Sequence, residues 1–139
     1  METKVSYSIE EVCMSCQAIA TQKAPAAIGP YSQAIKAGSW LFVSGQLGMK
    51  PETGNLVSDD FGEQALQALD NLSAIVKAAG YDLKDVVSVD VFVTDITQFA
   101  SFNTLYERYF SEHKPARAVV EVKGLPKGAK VEIKCVGYR

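Results

Sequence analysis

One segment of the chain repeats its hydrophobic residues at the spacing of a helix. Its apolar positions are Phe61, Ala65, Leu69, Leu72, Val76 and Ala79. Successive members lie three or four residues apart, so a helix would place them all on one face. Asp60 and Glu63 have the spacing of an acidic capping box, and Gly80 is placed for a C-terminal cap. The pattern predicts an amphipathic helix over 60–79.

Other segments have the composition and alternation of strands. Residues 31–37 and 40–44 are separated by Ala37-Gly38-Ser39, which predicts an antiparallel hairpin. Further along, valines alternate with other residues at Val87, Val89, Val91 and Val93. This period of two predicts a strand that is covered on one face. Residues 117–122 and 130–136 are also β-rich, and we expect them to pair as a second hairpin.

A second helix is predicted after the valine strand, with Asp95 or Thr97 as its cap. Its aromatic stripe comprises Phe99, Phe102, Tyr106, Tyr109 and Phe110, which we expect to be core. The turn cluster 51–55 precedes the first helix, so the order is β-β-α-β-α-β-β. This order favours an α+β sheet with both helices on one face. Apolar residues on the other face would need cover, so we expect a symmetric homo-oligomer.

Length and composition limit the class of protein. The chain has 139 residues, of which 47% are hydrophobic and 22% charged, as expected of one folded domain. A net charge of −2 gives no general argument for binding nucleic acid or an anionic membrane. We treat 1–17 as a poorly ordered extension and 18–139 as the domain. The opening residues lack the features of a targeting segment, so a cytoplasmic location is expected.

Metal and cofactor chemistry have little support. Cys13 and Cys16 form a C-x-x-C in the extension, outside the strand-to-helix turn that a redox motif needs. The only other cysteine is Cys135, and the only histidine is His113, for which we expect a solvated or helix-capping role. No phosphate loop or dinucleotide fingerprint is present in the sequence. We therefore expect neither a metal nor a cofactor.

Two charged residues on the last two strands are the strongest candidates for chemistry. Arg117 is flanked by small and apolar residues, so its guanidinium should emerge from an apolar surface and needs a partner. Glu132 lies between Val131 and Ile133, either as an exposed residue or as a carboxylate facing a partly buried pocket. If their strands pair with an odd register sum, the two residues share a face. A direct salt bridge between them is the structural alternative to a functional role.

Several ordered motifs resemble the YjgF/RidA family of reactive-intermediate deaminases. They are the segment 24–34 (APAAIGPYSQA), Ser44-Gly45-Gln46, Asp70-Asn71-Leu72, Pro115-Ala116-Arg117, Leu125-Pro126-Lys127 and Val131-Glu132-Ile133. The resemblance extends from about Ile19 to Gly137. It implies a chorismate-mutase-like α+β fold and a homotrimer with clefts between subunits.

The resemblance also implies an activity, which is hydrolysis of 2-imino acids or enamines released by pyridoxal-phosphate enzymes. The products are a 2-keto acid and ammonia, and no cofactor is needed. Arg117 would bind the substrate carboxylate, and Glu132 would position or activate water. The residues implied to line the cleft and orient the imine are Tyr31, Ser44, Gly45 and Asn103.

Two departures from the family pattern concern the wall of the implied pocket. Val119 stands where many members have cysteine, and the connection 113–115 is short. The alternatives within the wider family are RNA cleavage or translation inhibition, chaperone-like action, and non-catalytic binding of small carboxylates. A lysine cluster, comprising Lys123, Lys127, Lys130 and Lys134, is the only sequence feature that favours RNA.

Overall fold

A six-stranded mixed sheet forms the centre of the computed structural model, which describes residues 16–139. The strands are β1 Cys16–Ile19, β2 Ala34–Ala37, β3 Trp40–Leu47, β4 Val86–Val93, β5 Ala116–Glu121 and β6 Val131–Tyr138. The helices are α1 Phe61–Ala78 and α2 Phe99–Tyr106. The strand order is β1-β2-β3-β6-β4-β5. Only β4 and β5 are parallel, and every other neighbouring pair is antiparallel.

Helix α1 confirms the first predicted helix. The Asp60 side chain accepts a hydrogen bond from the Glu63 amide at 2.9 Å, which satisfies one free N–H of the first turn. The Glu63 carboxylate instead accepts from the Ser58 hydroxyl, so the box is not reciprocal. At the other end, Gly80 has a φ of +83°, a conformation that favours glycine after a helix.

Helix α2 is shorter than the aromatic stripe predicts. Asp95 caps a 3₁₀ turn, Ile96–Gln98, and the α-helix then ends at Tyr106. The expectation that the stripe is core holds for its buried members Phe102, Tyr106 and Phe110. It is wrong for Phe99, which remains 42% exposed. The prediction from periodicity alone therefore missed an aromatic ring at the surface.

The strand pairing confirms one predicted hairpin and corrects the other. Strands β2 and β3 pair antiparallel through Ala37 and Trp40, as predicted. Strands β5 and β6 do not pair, because β4 lies between them. Helix α2 connects β4 to β5, and such a connection allows two consecutive strands to lie parallel. Strand β6 then inserts between β3 and β4, antiparallel to both.

Strand β4 shows a second departure from the simple alternation. Val89, Val91 and Val93 are buried, but Val87 is exposed. The register of β4 against β6 shifts between Val86 and Ser88, which is the signature of a bulge. The shift turns Val86 inward in place of Val87. The strand was predicted correctly and its first inward residue was not.

Both helices cover the same face of the sheet. Helix α1 packs on β3 and β6, and α2 packs on α1. On β6 the buried residues Val131, Ile133 and Cys135 point to this helix face, and the residues between them point to the opposite, outer face. The large exposed apolar residues of the outer face are Trp40, Phe42, Val120 and Tyr138. Nothing within residues 16–139 covers this face.

The N-terminal boundary differs from the expected one by a short strand. Strand β1 contains Cys16 and Gln17, which were predicted to belong to the extension. It pairs with β2 over its whole length. Residues 1–15, including Cys13, lie outside the described part of the chain, so the extension stays a prediction. None of the helices in residues 16–139 combines the length and the apolarity that crossing a membrane requires.

Candidate functional site

Four of the predicted site residues line one cavity of about 830 Å³. They are Tyr31, Ser44, Gly45 and Glu132. The cavity opens where the pairing of β3 with β6 shifts register between Val43 and Gln46. A bulge takes backbone groups out of the ladder and redirects side chains, which is why such irregularities recur at active sites. The bulge places Ser44 and Gly45 beside Glu132.

Gly45 makes room for the Glu132 carboxyl group. A Cβ atom at this position would lie 2.6 Å from Glu132 Oε1 and 2.8 Å from its Cδ. No real Cβ tolerates that distance, so any other residue would displace the carboxyl group. Partial burial raises the pKa of Glu132, and the nearby Lys134 charge opposes this effect. A carboxylate with a raised pKa is a better proton acceptor than a solvated one.

A buried amide holds the loop that carries Tyr31. The Gln33 side chain accepts from the Thr21 amide at 2.7 Å and donates to the carbonyls of Thr21 and Pro25 at 3.0 and 2.8 Å. Gln33 is only 4% exposed, so these bonds are shielded from water. The Ser44 hydroxyl donates to the Ser32 carbonyl at 2.6 Å and ties the same loop to β3. Half of the Tyr31 surface remains free at the cavity.

Two further buried amides hold the other walls. Asn71 donates to the carbonyls of Leu47 and Met49 at 3.1 and 2.8 Å. Gln64 donates to the Ser58 carbonyl at 2.8 Å and accepts from the Lys130 amide at 2.9 Å, just before β6 begins. No role was predicted for these side chains from the sequence. A usable signal was present, since both polar residues fall beside the apolar stripe of α1.

Arg117 and Asn103 lie outside this cavity. Arg117 pairs with Val89, and Val89 pairs with the buried Cys135, so Arg117 points to the helix face. Glu132 pairs with Phe92, which pairs with Val120, and this row points to the outer face. The two rows are also three residues, or roughly 10 Å, apart along the strands. The prediction of a direct salt bridge between Arg117 and Glu132 within one chain is therefore wrong. The antiparallel pairing expected for their two strands is wrong as well.

The partners of Arg117 are aromatic. Its guanidinium carbon lies 4.7 Å from the centre of the Tyr106 ring and 5.7 Å from that of Phe99. Asn103 falls between these two residues on α2, and its Oδ1 atom is buried without a hydrogen-bond partner in the described chain. The Tyr106 hydroxyl is likewise buried and unpartnered, and burial raises its pKa to about 12. Tyr106 is thus neutral at physiological pH.

The remaining candidates lie apart from the cavity. His113 Nε2 donates to the Val86 carbonyl at 2.6 Å, which replaces the expected solvated or capping role. Cys16 is exposed, and burial raises the pKa of the Cys135 thiol to about 12. Within residues 16–139, no group of three or more histidine, cysteine or acidic side chains could hold a metal ion.

Comparisons with known proteins identify relatives that span most of the chain. Residues 21–138 match the family described as Endoribonuclease L-PSP. A human 2-iminobutanoate/2-iminopropanoate deaminase is 48% identical over 121 residues, covering 87% of this chain and 88% of the human protein.

Two solved structures share the fold. RidA from an Antarctic Psychrobacter is 49% identical with a TM-score of 0.85, and the match covers 88% of this chain and 99% of that one. Escherichia coli TdcF with bound serine is 43% identical with a TM-score of 0.84, covering 88% of this chain and 98% of that one. The expected α+β fold is thereby confirmed, and it has a mixed sheet and two helices. Since the family match includes nearly all of the described residues, the chain belongs to the Endoribonuclease L-PSP family, which is the YjgF/RidA family.

Proposed function

We propose that this protein hydrolyses reactive 2-imino acids, such as 2-iminobutanoate and 2-iminopropanoate, to 2-keto acids and ammonia. The observation that carries the proposal is the partly buried Glu132 carboxyl group, which packs on Gly45 in the cavity shared with Tyr31 and Ser44. The human relative named for this reaction supports the choice of substrate.

The chemistry fits a site with one basic group. Glu132 would accept a proton from water while the water oxygen attacks the electrophilic imine carbon. The resulting tetrahedral carbon carries a hydroxyl and an amino group. For an imine that enters in its protonated form, Glu132 returns the proton to nitrogen, the C–N bond breaks with release of ammonia, and the hydroxyl group gives its proton to Glu132 as it becomes the keto group. The reaction consumes one water, changes no oxidation state and needs no cofactor.

The carboxylate of the substrate requires a second group, which we assign to Arg117. A guanidinium can donate two parallel hydrogen bonds to a carboxylate. Within one chain Arg117 and Asn103 lie on the opposite face of the sheet from Glu132. We therefore propose that Arg117 and Asn103 of one protomer complete the cavity of its neighbour in a homotrimer. The outer face, which nothing in residues 16–139 covers, supports this, because its exposed aromatic residues lie on the strand that carries Glu132 and on the neighbouring β3.

RNA cleavage is the alternative that the family description suggests. Two of the four lysines that favoured it are bound to backbone carbonyls. The Lys127 amino group donates to the Gly54 carbonyl at 2.7 Å, and that of Lys130 donates to the Asp59 carbonyl. Both side chains tie turns together. The geometry therefore favours hydrolysis of a small imino acid over RNA binding.

The test couples threonine dehydratase to this protein and follows the release of 2-ketobutyrate. Wild type should accelerate the release, while Arg117→Ala and Glu132→Gln should each lose most of the acceleration. Lys123→Ala, a change at an exposed lysine outside the cavity, serves as the control. Equal rates with and without wild-type protein would reject the deaminase function. An RNase assay on the same preparations identifies the alternative if cleavage is present and survives Arg117→Ala.

A further inference from the structure

The helix face beside the edge strand β5 holds one charged group between two aromatic rings. Phe99, Asn103 and Tyr106 are spaced at i, i+4 and i+7 on α2, so they form one stripe along the helix. Arg117 lies against this stripe, with its guanidinium carbon within 6 Å of both ring centres. We call Phe99 and Tyr106 the aromatic clamp.

Burial separates Phe99 from the ordinary core, which includes the Tyr106 ring. Phe102 and Phe110 of the same aromatic stripe are buried, whereas Phe99 is 42% exposed. An aromatic ring that is left half in water gains little from core packing. The contact with Arg117 gives this ring a role that packing alone does not. Tyr106 contributes its ring and not its hydroxyl, since the hydroxyl has no hydrogen-bond partner in the described chain.

A ring and a carboxylate hold an arginine in different ways. A carboxylate partner would occupy the in-plane N–H donors of the guanidinium. An aromatic ring attracts the cation through its π-face and leaves in-plane N–H groups free. The observed partners of Arg117 are rings, and the unpartnered Asn103 Oδ1 lies on the same stripe. The two rings thus hold the guanidinium in place and leave its in-plane N–H groups free to donate to a ligand.

The geometry points to Phe99 and Tyr106 as positioning residues that orient Arg117 for the carboxylate of the substrate. This inference rests on the proposed function for the identity of the ligand. It adds that the rings set affinity for the carboxylate without touching the reacting carbon. Their loss should therefore raise KM with little change in kcat, because binding is weakened equally in the ground and transition states.

The test measures binding of 2-ketobutyrate by calorimetry, together with KM and kcat for imine hydrolysis. Phe99→Leu should weaken binding about threefold and Tyr106→Leu about tenfold, with kcat within about twofold of wild type. Tyr106→Phe retains the ring and should stay close to wild-type affinity. Phe61→Leu is the matched control, since this ring pairs with Phe102 instead. Phe99→Leu changes an exposed residue, so this variant should fold normally. It therefore tests the clamp even if Tyr106→Leu folds poorly.

The outcomes separate this inference from the proposed function. Binding without turnover in the wild type would reject the hydrolytic function and leave the clamp intact. Equal affinity in wild type, Phe99→Leu and Tyr106→Leu would overturn the clamp, and so would a wild type that binds no 2-ketobutyrate. A fall in kcat at constant KM would also contradict it.

Discussion

Glycine at position 45 is required by a neighbouring side chain and not by its own backbone. Its φ lies outside the left-handed region, so another residue could adopt the same backbone conformation. The space is filled by the Glu132 carboxyl group, which a Cβ would contact at 2.6 Å. The carboxyl group can move because it ends a flexible side chain, so the fold should tolerate the substitution and the site should not.

We therefore expect Gly45→Ala to fold normally and to lose catalysis. Displacing a reacting group by about 1 Å can cost on the order of 100-fold in rate. The measurement is kcat for imine hydrolysis beside a thermal melt. Gly124→Ala is the control, because nothing lies within 4 Å of the added methyl group. Wild-type kcat in Gly45→Ala would show that the position of Glu132 does not matter.

The raised pKa of Glu132 also links stability to pH. Burial makes the folded state hold this proton more tightly than the unfolded chain, whose pKa is near the ordinary value of 4.5. The stabilising contribution is complete below that value and is lost as pH rises through the folded pKa. Glu132→Gln should therefore melt above wild type at neutral pH, with no such gain below about pH 4.

The expected gain is small because the carboxyl group is only partly buried, and we estimate less than about 1 kcal/mol. Melting curves of both proteins across this pH range provide the measurement. Asp90→Asn on the neighbouring strand β4 is the control substitution. A wild type that is more stable than Glu132→Gln at neutral pH would show that burial does not raise this pKa.

At the scale of elements, a close contact joins Gly48, the residue after β3, to the first turn of α1. A Cβ on Gly48 would lie 2.4 Å from the Gln64 carbonyl oxygen and 2.5 Å from Gln64 Cα. These are backbone atoms of a helix, so a Cβ on Gly48 could be accommodated only if α1 moved away from the sheet. The same contact brings Gln64 to Ser58 and Lys130, next to the cavity.

Gly48→Ala should therefore destabilise the fold, in contrast to Gly45→Ala. The expected loss is about 3 kcal/mol of unfolding free energy, at the upper end of typical overpacking. Denaturant titration measures this loss, again with Gly124→Ala as the control. Stability equal to that of wild type would mean that the helix approaches the strand less closely than described.

The elements also show which parts of the fold were predictable. The existence of α1 and its N-terminal cap followed from a stripe of apolar residues and one aspartate, because these signals are local. The pairing of β5 was not predictable in the same way. Two β-rich segments joined by a glycine-containing connection favour a hairpin, but in the sheet β4 lies between them and pairs with both. Register and bulges, as at Val87 and Ser44, depend on the partner strand.

At the scale of the whole molecule, the proposed site needs two chains, and subunit mixing tests this. Each site would combine Arg117 from one protomer with Glu132 from its neighbour. Co-refolding Arg117→Ala with Glu132→Gln in equal amounts should restore about one quarter of wild-type activity, since random assembly unites two intact halves at that frequency. If both groups came from one chain, the mixture would stay inactive. Separately refolded proteins that are never mixed provide the control.

The sequence by itself determined the α+β class, the first helix, the hairpin of β2 and β3, and the residue types available for chemistry. These follow from local periodicity, capping and turn chemistry, which act between near neighbours in the chain. The tertiary structure alone decided which candidates meet. It placed Glu132 beside Gly45 and set Arg117 against Phe99 and Tyr106 on the other face. The physical reason is that strand order and register join residues far apart in sequence, and packing of the whole sheet selects them.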